Sequence, residues 1–201
     1  MRSQSVDADV QDHADPLEYA YHPRLGGSGS HFVLEQRHLV WSVGTRRMDL
    51  PLADIREVRL LFSPAKFASS SYETRLRLKD GRKVSIGSVS RTSLTATTDQ
   101  GPAYAAFVGA LHCAIGEAGG QPAFRGGLSP LRWWVMVVLG ALATLGLIAV
   151  LVHALVTQAF AFAGILAVLG AAVVWPTAEM LWRNQPVTYQ PDHLPERLMP
   201  R

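Results

Sequence analysis

The fold of this chain is decided by two adjacent stretches, WWVMVVLGALATLGLIAVLVHALV at 133–156 and AFAFAGILAVLGAAVVWPTAEMLW at 159–182. Neither stretch contains Lys or Arg, and their only ionisable side chains are His153 and Glu179. At a helical rise of about 1.5 Å per residue, each is long enough to cross the ~30 Å hydrocarbon core of a bilayer. The sequence therefore predicts an integral membrane protein, with two transmembrane helices behind a soluble N-terminal domain.

The connection between the two spans is too short to hold a domain, so we expect an antiparallel hairpin. It consists of a few residues around Thr157 and Gln158 and contains no Lys or Arg. Basic residues flank the hairpin at its other end, namely Arg125, Arg132, Arg183, Arg197 and Arg201. This asymmetry favours a cytoplasmic position for both termini. Tryptophans match an aromatic belt at the same interface, at Trp133, Trp134, Trp175 and Trp182.

Glu179 is the only formal charge in the two spans, and it allows two interpretations. An ionisable residue in a membrane helix is a functional candidate because its burial is costly. Glu179 also precedes Arg183 by four residues, so an ion pair across the last helical turn would satisfy it locally. The local pair is favoured over a proton or ion relay because the other span offers no partner.

Small residues recur along both spans and allow close packing of the helix backbones. Gly140 and Gly146 are six residues apart, as are Gly164 and Gly170, so a strict GxxxG motif is absent. Packing within the hairpin is therefore favoured over a dedicated dimerisation motif.

The N-terminal stretch 1–30 is acidic and ends in the flexible sequence GGSGS at 26–30. It has no apolar core of the kind found in signal peptides, so it is not expected to be one. We expect this stretch to be a flexible segment ahead of the folded domain.

Residues 31–118 have the pattern of a small soluble domain. Alternating apolar and polar residues predict strands at about 31–35, 38–43 and 46–51, and a fourth strand in DIREVRLLFS at 54–63. The sequence YETRLRLKDGRKVSIGSVS at 72–90 predicts a hairpin with Asp80 and Gly81 in a type I′ turn. Its arginines and lysines, among them Arg75, Arg77, Lys79 and Lys83, are expected to face water.

A helix is predicted in GPAYAAFVGALHCAIGEAGG at 101–120. Its apolar stripe consists of Tyr104, Phe107, Val108, Leu111 and Ile115. Within it we expect Cys113 to be a small buried side chain and His112 to be partly exposed. The fold class is thus α+β: a bent antiparallel barrel or sandwich capped by a C-terminal helix, then a linker at 119–132, the membrane hairpin, and a Pro-rich tail at 183–201.

The order of these elements resembles the pleckstrin-homology-like domains of small bacterial membrane proteins. The resemblance rests on Leu39-Val40-Trp41 with Gly44, on Ile55, Val58 and Leu60, on the Asp80-Gly81 hairpin, and on the capping helix. With the hairpin and the tail, the chain resembles an uncharacterised proteobacterial membrane-protein family of that layout. This implies a seven-stranded fold, of which six strands are evident in the sequence, and a place in the bacterial inner membrane.

No motif in the chain points to catalysis. GxxxxGK[ST], GxGxxG, HExxH, CxxC and GxSxG are all missing from the sequence, and its seven histidines are spread along the chain. His31 and His38 flank a tight turn and could meet, but two histidines without a third ligand are weak support for a metal site. We therefore expect no catalytic residue, no metal and no cofactor.

Charge is the more informative feature of the soluble domain. Residues 31–116 contain twelve Lys and Arg against seven Asp and Glu, a balance of +5. The candidate contacts with anionic lipid headgroups or a partner are the basic residues at turns and strand ends: Arg46, Arg47, Lys79, Arg82 and Lys83. A merely solvated basic face is an equal alternative. Nucleic acid is disfavoured because the exposed strand faces lack a run of aromatic residues.

Three classes of function remain open from the sequence. The leading hypothesis is a non-enzymatic binding or scaffold module, anchored in the bilayer, that engages a protein partner or anionic lipid. The alternative is an accessory subunit of a membrane transport or enzyme complex. The partners expected besides the lipid bilayer and anionic headgroups are another membrane protein or further copies of this chain. An enzyme acting on lipid or cell-wall precursors is the third. The tail, with apolar contacts at Leu194, Leu198 and Met199, is expected to dock on the soluble domain or on a partner.

Overall fold

The computed structural model of the chain describes residues 17–23, 28–64, 70–91 and 97–200. It has a mixed α+β architecture, in which β-sheets come first and helices dominate the C-terminal part. Two of the helices are long and apolar enough to cross a membrane. The acidic start at 1–16 and the first two residues of GGSGS lie outside the described residues.

The first sheet is an antiparallel meander of four strands in chain order. They are β1 (Leu17–Tyr21), β2 (Ser30–Glu35), β3 (His38–Val43) and β4 (Arg46–Pro51). The last three lie where period-two alternation predicts them. Strand β1 falls in the stretch expected to be flexible, because its sequence LEYAY contains a single charged residue, Glu18, and therefore shows little alternation. The Tyr19 hydroxyl donates to Gly87 O at 2.6 Å, which ties this sheet to the second one.

The remaining strands are β5 (Ile55–Ser63), β6 (Ser71–Leu78), β7 (Lys83–Gly87), β8 (Val89–Arg91), β9 (Thr97–Asp99), β10 (Ala123–Gly126) and β11 (Val187–Thr188). The second sheet has the order β11-β10-β5-β6-β7, and β8 pairs with β9 alone. Strand β10 lies in the expected linker and pairs parallel to β5, while β11 comes from the tail. Linker and tail are therefore parts of the folded domain, because β10 covers the open edge of β5 and β11 pairs with β10.

Two details of the second sheet differ from simple alternation. Ile55 and Val58 are both buried although they are three residues apart, and a register shift between Ile55 and Glu57 makes this possible. The β6–β7 connection is a four-residue loop in which only Gly81 has a positive φ, at 88°. The expectation of a type I′ turn is therefore wrong, because such a turn requires a positive φ at both of its central residues.

Helix α1 (Gly101–Glu117) closes the core with its predicted stripe, of which every member is buried. The two expectations at its centre are wrong: Cys113 is exposed and His112 is fully buried. His112 follows Tyr104 and Val108 at intervals of four and shares their face, whereas Cys113 lies one residue further around the helix.

The membrane-type helices are α2 (Pro130–Val156) and α3 (Phe160–Arg183). They begin and end within three residues of the predicted spans and form an antiparallel hairpin that reverses at Gln158, whose φ is 59°. Leu147 packs so closely on Gly170 that a Cβ there would overlap it. Most other large apolar side chains of the pair point outward, as in a hairpin surrounded by lipid.

Candidate membrane-facing binding site

The end of the hairpin is joined to the soluble domain by the buried amide of Asn184. Phe62 N–H donates to Asn184 Oδ1 at 3.0 Å, and Asn184 Nδ2 donates to Phe62 O at 2.7 Å. Nδ2 also donates to Met180 O at 2.9 Å, at the end of α3. Asn184 thus continues the backbone pairing of β5 beyond the last residue of β10, and with 1% exposure it is shielded from water.

The start of α2 is joined to the same place by the backbone. Gly127 N–H donates to Leu60 O at 2.8 Å, and Leu128 N–H donates to Asn184 O at 3.0 Å. Gly127 has a φ of 74°, and a Cβ there would overlap the carbonyl oxygens of Asn184 and Gln185. Only glycine fits this crossing, because both the backbone conformation and the space exclude a side chain.

Arg183 adds a third connection between the hairpin and the domain. Its guanidinium lies over the ring of Phe62, with 4.4 Å from Cζ to the ring centroid. Its Nη1 donates to Tyr72 OH at 3.4 Å and to Arg197 O at 3.3 Å. Its Nε lies 3.0 Å from Glu179 Oε1 but makes no directed hydrogen bond with any described residue, so this pair is electrostatic. Glu179 is therefore placed beside Arg183, as the i,i+4 spacing predicts.

A groove lies between the outer face of the second sheet and the start of α2. Its volume is about 530 Å³. The sheet contributes side chains of alternate residues in β5, β6 and β7, which point away from the core. Leu128, Ser129 and Arg132 form the opposite wall because β10 leads directly into α2. The groove is thus next to the point where the chain enters the predicted membrane span.

The groove is basic, with five cations against two carboxylates in its lining, an excess of three. Glu57 pairs with Arg59 at 2.7 Å, and Glu73 pairs with Arg75 at 2.8 Å. Arg59 also donates to Gly127 O at 3.0 Å, so it fixes the groove wall to the crossing point.

The sequence-predicted contact residues are divided between two places. Arg46 and Arg47 lie at the β3–β4 turn, where Arg47 is 3.8 Å from Glu35. The other three lie at the β6–β7 loop: Lys79 is 3.7 Å from Asp54, Arg82 pairs with Asp80, and Lys83 lines the groove. The hydrogen bonds from Arg82 to the Asp80 carboxylate lower the pKa of that group. Lys83 is therefore the one candidate that the structure places in the groove.

The histidines singled out by the sequence bind acids and not each other. His31 Nε2 is 3.2 Å from Glu18 Oε2, and His38 Nδ1 is 2.7 Å from Asp49 Oδ1. Within the ranges that the structure describes, no cluster of three or more His, Cys, Asp or Glu is arranged to hold a metal ion.

The C-terminal tail docks on the soluble domain through a buried polar contact. The carbonyl oxygen of Val108 can only accept a hydrogen bond, so His112 Nδ1–H donates to it at 2.7 Å. Nε2 of the same ring is then unprotonated and accepts from Tyr189 O–H at 2.9 Å. Burial lowers the pKa of His112 and raises that of Tyr189. Leu198 of the same tail is fully buried. The tail therefore completes the domain core, as one of the two expectations for it states.

Sequence reasoning missed the groove, although it assigned Arg75 and Arg77 to the water-facing side of their strand. The missing information was the parallel pairing of β10 with β5, which brings Arg132 to the sheet. A parallel pairing between residues far apart in sequence leaves no turn signal in the chain.

In comparisons with known proteins, the chain matches no family model, no curated protein and no solved structure.

Proposed function

We propose that this protein is a non-enzymatic, membrane-anchored binding module whose soluble domain engages an anionic lipid surface. One observation carries the proposal: the basic groove is held beside the start of α2 by the Asn184 and Gly127 contacts. A basic residue near an anionic leaflet gains about 1 kcal/mol, so a groove with three excess cations favours such a surface appreciably. The apolar hairpin supplies the anchor.

The proposal includes an orientation and a location. Both ends of the hairpin adjoin the soluble domain, with Arg132 at one end and Arg183 at the other. The turn at 157–159 contains no basic residue. By the positive-inside rule this asymmetry supports a cytoplasmic domain on the inner membrane of a bacterium.

We also propose that the soluble domain belongs to the pleckstrin-homology-like folds. Strands β1 to β7 provide seven antiparallel strands in two sheets ahead of the capping helix α1. Strand β1 thus supplies the seventh strand that the sequence pattern lacked. The short β8–β9 pair between β7 and α1 is then an addition to the seven strands, and β10 and β11 are an extension that connects this fold to the hairpin.

The proposed function is tested with the full chain in lipid nanodiscs, because the linker and the tail are parts of the domain. One set of discs contains only phosphatidylcholine, and the other contains about one-third phosphatidylglycerol. We expect amide hydrogen exchange in β6 and β7 to be slower in the anionic discs, and the difference to shrink in ~1 M salt, where the Debye length is about 3 Å. Equal exchange in both discs would overturn the proposal.

An accessory subunit of a membrane complex is the second candidate, and one feature favours it. An apolar groove of about 500 Å³ runs between α2 and α3. Its lining combines leucines and valines with Thr144, Thr177 and five small residues, which are Gly140, Ala141, Ala143, Gly170 and Ala178. Small residues of this kind allow another helix to pack closely in lipid. Cross-linking in native membranes tests this candidate: a stoichiometric partner protein supports it, and recovery of the chain alone argues against it.

A further inference from the structure

Three cations that line the basic groove form no ion pair with any residue that the structure describes: Arg77, Lys83 and Arg132. The other two cations of the groove, Arg59 and Arg75, have their own carboxylates. The excess charge is therefore located on these three side chains, which belong to β6, β7 and α2.

The strand register increases this local charge. Arg77 and Lys83 are directly opposite each other in the β6–β7 ladder, an arrangement of like charges that destabilises a sheet. On its other side Arg77 is opposite Glu57 of β5, but that carboxylate lies 2.7 Å from Arg59 and forms its ion pair there. Arg59 and Arg75 are also opposite each other, but each pairs with the glutamate two residues before it in its own strand. A bound anion would compensate the charges of Arg77 and Lys83, as the two glutamates compensate those of Arg59 and Arg75.

The position of Arg132 indicates which anion is available. It lies in the first turn of α2, between Leu131, which is 78% exposed, and Trp134, which is 60% exposed. Exposed apolar and tryptophan side chains at the end of a membrane helix are typical of the headgroup level. The prevalent anion at that level is the lipid phosphate, and a groove of about 530 Å³ has the size of a small-molecule site.

We propose that Arg77, Lys83 and Arg132 bind the phosphate of one lipid headgroup, drawn from the leaflet in which α2 begins. This rests on the proposed function and names its ligand. The guanidinium groups offer paired donors to phosphate oxygens, and Lys83 adds a point charge. The hydroxyls of Ser85 and Ser129 line the same groove and supply neutral donors.

The test uses the full chain, extracted from mixed phosphatidylcholine and phosphatidylglycerol membranes into mild detergent and examined by native mass spectrometry. We expect one phosphatidylglycerol retained per chain. In the double variant Arg77→Gln/Lys83→Gln, the retained fraction should fall about tenfold or more, because charge-assisted hydrogen bonds are lost. Arg132→Gln, on the opposite wall, should give the same loss and serves if the double variant does not fold.

The matched control is Arg56→Gln/Arg91→Gln, which removes the same charge from two exposed positions outside the groove lining. It should retain the lipid like the original chain. Equal retention in the groove variants and the control would overturn the site. So would the absence of retained lipid from an original chain whose β6 and β7 amides still respond to anionic discs, a result that leaves the proposed function standing.

A second arm separates lipid from soluble phosphate. Inorganic phosphate is titrated calorimetrically into the delipidated chain in detergent. Weak or undetectable binding, together with lipid retention, supports a lipid site. Binding of inorganic phosphate without retention of any lipid would overturn the lipid assignment and identify a soluble phosphate compound as the ligand.

Discussion

Replacing Asn184 with Ala should loosen the attachment of the transmembrane hairpin to the second sheet. The change removes three hydrogen bonds and leaves the backbone N–H and C=O of Phe62 without partners at a position that is 3% exposed. An unsatisfied buried group costs about 1–3 kcal/mol, so the two groups cost about 2–6 kcal/mol. The vacated space is about that of one water molecule, which would recover part of this loss. We therefore expect a loss of about 3 kcal/mol.

The assay is thermal unfolding of the soluble domain in the full chain, in mild detergent. A loss of about 3 kcal/mol lowers the Tm of a domain of this size by roughly 10 °C. Asn184→Asp should be no better than Asn184→Ala, since its carboxylate faces the carbonyl oxygens of Phe62 and Met180. Gln185→Ala is the matched control, because its side chain accepts only one bond, from Arg197 at 3.3 Å. If Asn184→Ala lowers the Tm no more than this control does, the amide does not support the junction.

Three further predictions concern the parts of the domain that come late in the chain. Gly127→Ala should destabilise the domain by more than the ~1–2 kcal/mol that a left-handed backbone costs by itself, because a Cβ also meets two carbonyl oxygens. Thermal unfolding compares this variant with Gly81→Ala, where the space for a Cβ is open. Leu198→Ala should cost about 2–5 kcal/mol as a large-to-small change in the core and should expose the tail to proteases. Stability should also fall with acidification through the pKa of an unfolded histidine, about 6.5, because the pKa of buried His112 is lowered in the folded state and the unfolded chain binds the proton.

These three predictions have separate controls. An equal loss for Gly127→Ala and Gly81→Ala would show that the crossing tolerates a Cβ. A tail that stays protected in Leu198→Ala would show that other contacts hold it. For the pH effect, His112→Gln keeps a donor and an acceptor but cannot take up a proton, so its stability should depend less on pH, by up to about 1.4 kcal/mol per pH unit. An unchanged slope would exclude His112 as the source.

Much of the architecture follows from local patterns in the chain. The two long apolar stretches predict α2 and α3, the alternation at 31–63 predicts four strands, and the stripe from Tyr104 to Ile115 predicts α1. Each of these signals is contained in one segment, so no knowledge of its neighbours is needed. The exposure of Cys113 and the burial of His112 show the limit of such local patterns. Neighbouring residues of a helix point in different directions, so an error of one residue in placing the buried face interchanges a buried and an exposed side chain.

The sequence by itself thus determined that a basic, mostly antiparallel β domain precedes an apolar hairpin. Only the tertiary structure decided how the two are connected: β10 pairs with β5 in parallel, and Asn184 continues that pairing at Phe62. These contacts join residues more than sixty positions apart. The backbone hydrogen bonds between β10 and β5 place no demand on side-chain type, and an asparagine at the end of a helix does not indicate which distant residue its amide will bind. For this reason the groove formed by Arg77, Lys83 and Arg132 is evident in the folded chain but not in its sequence.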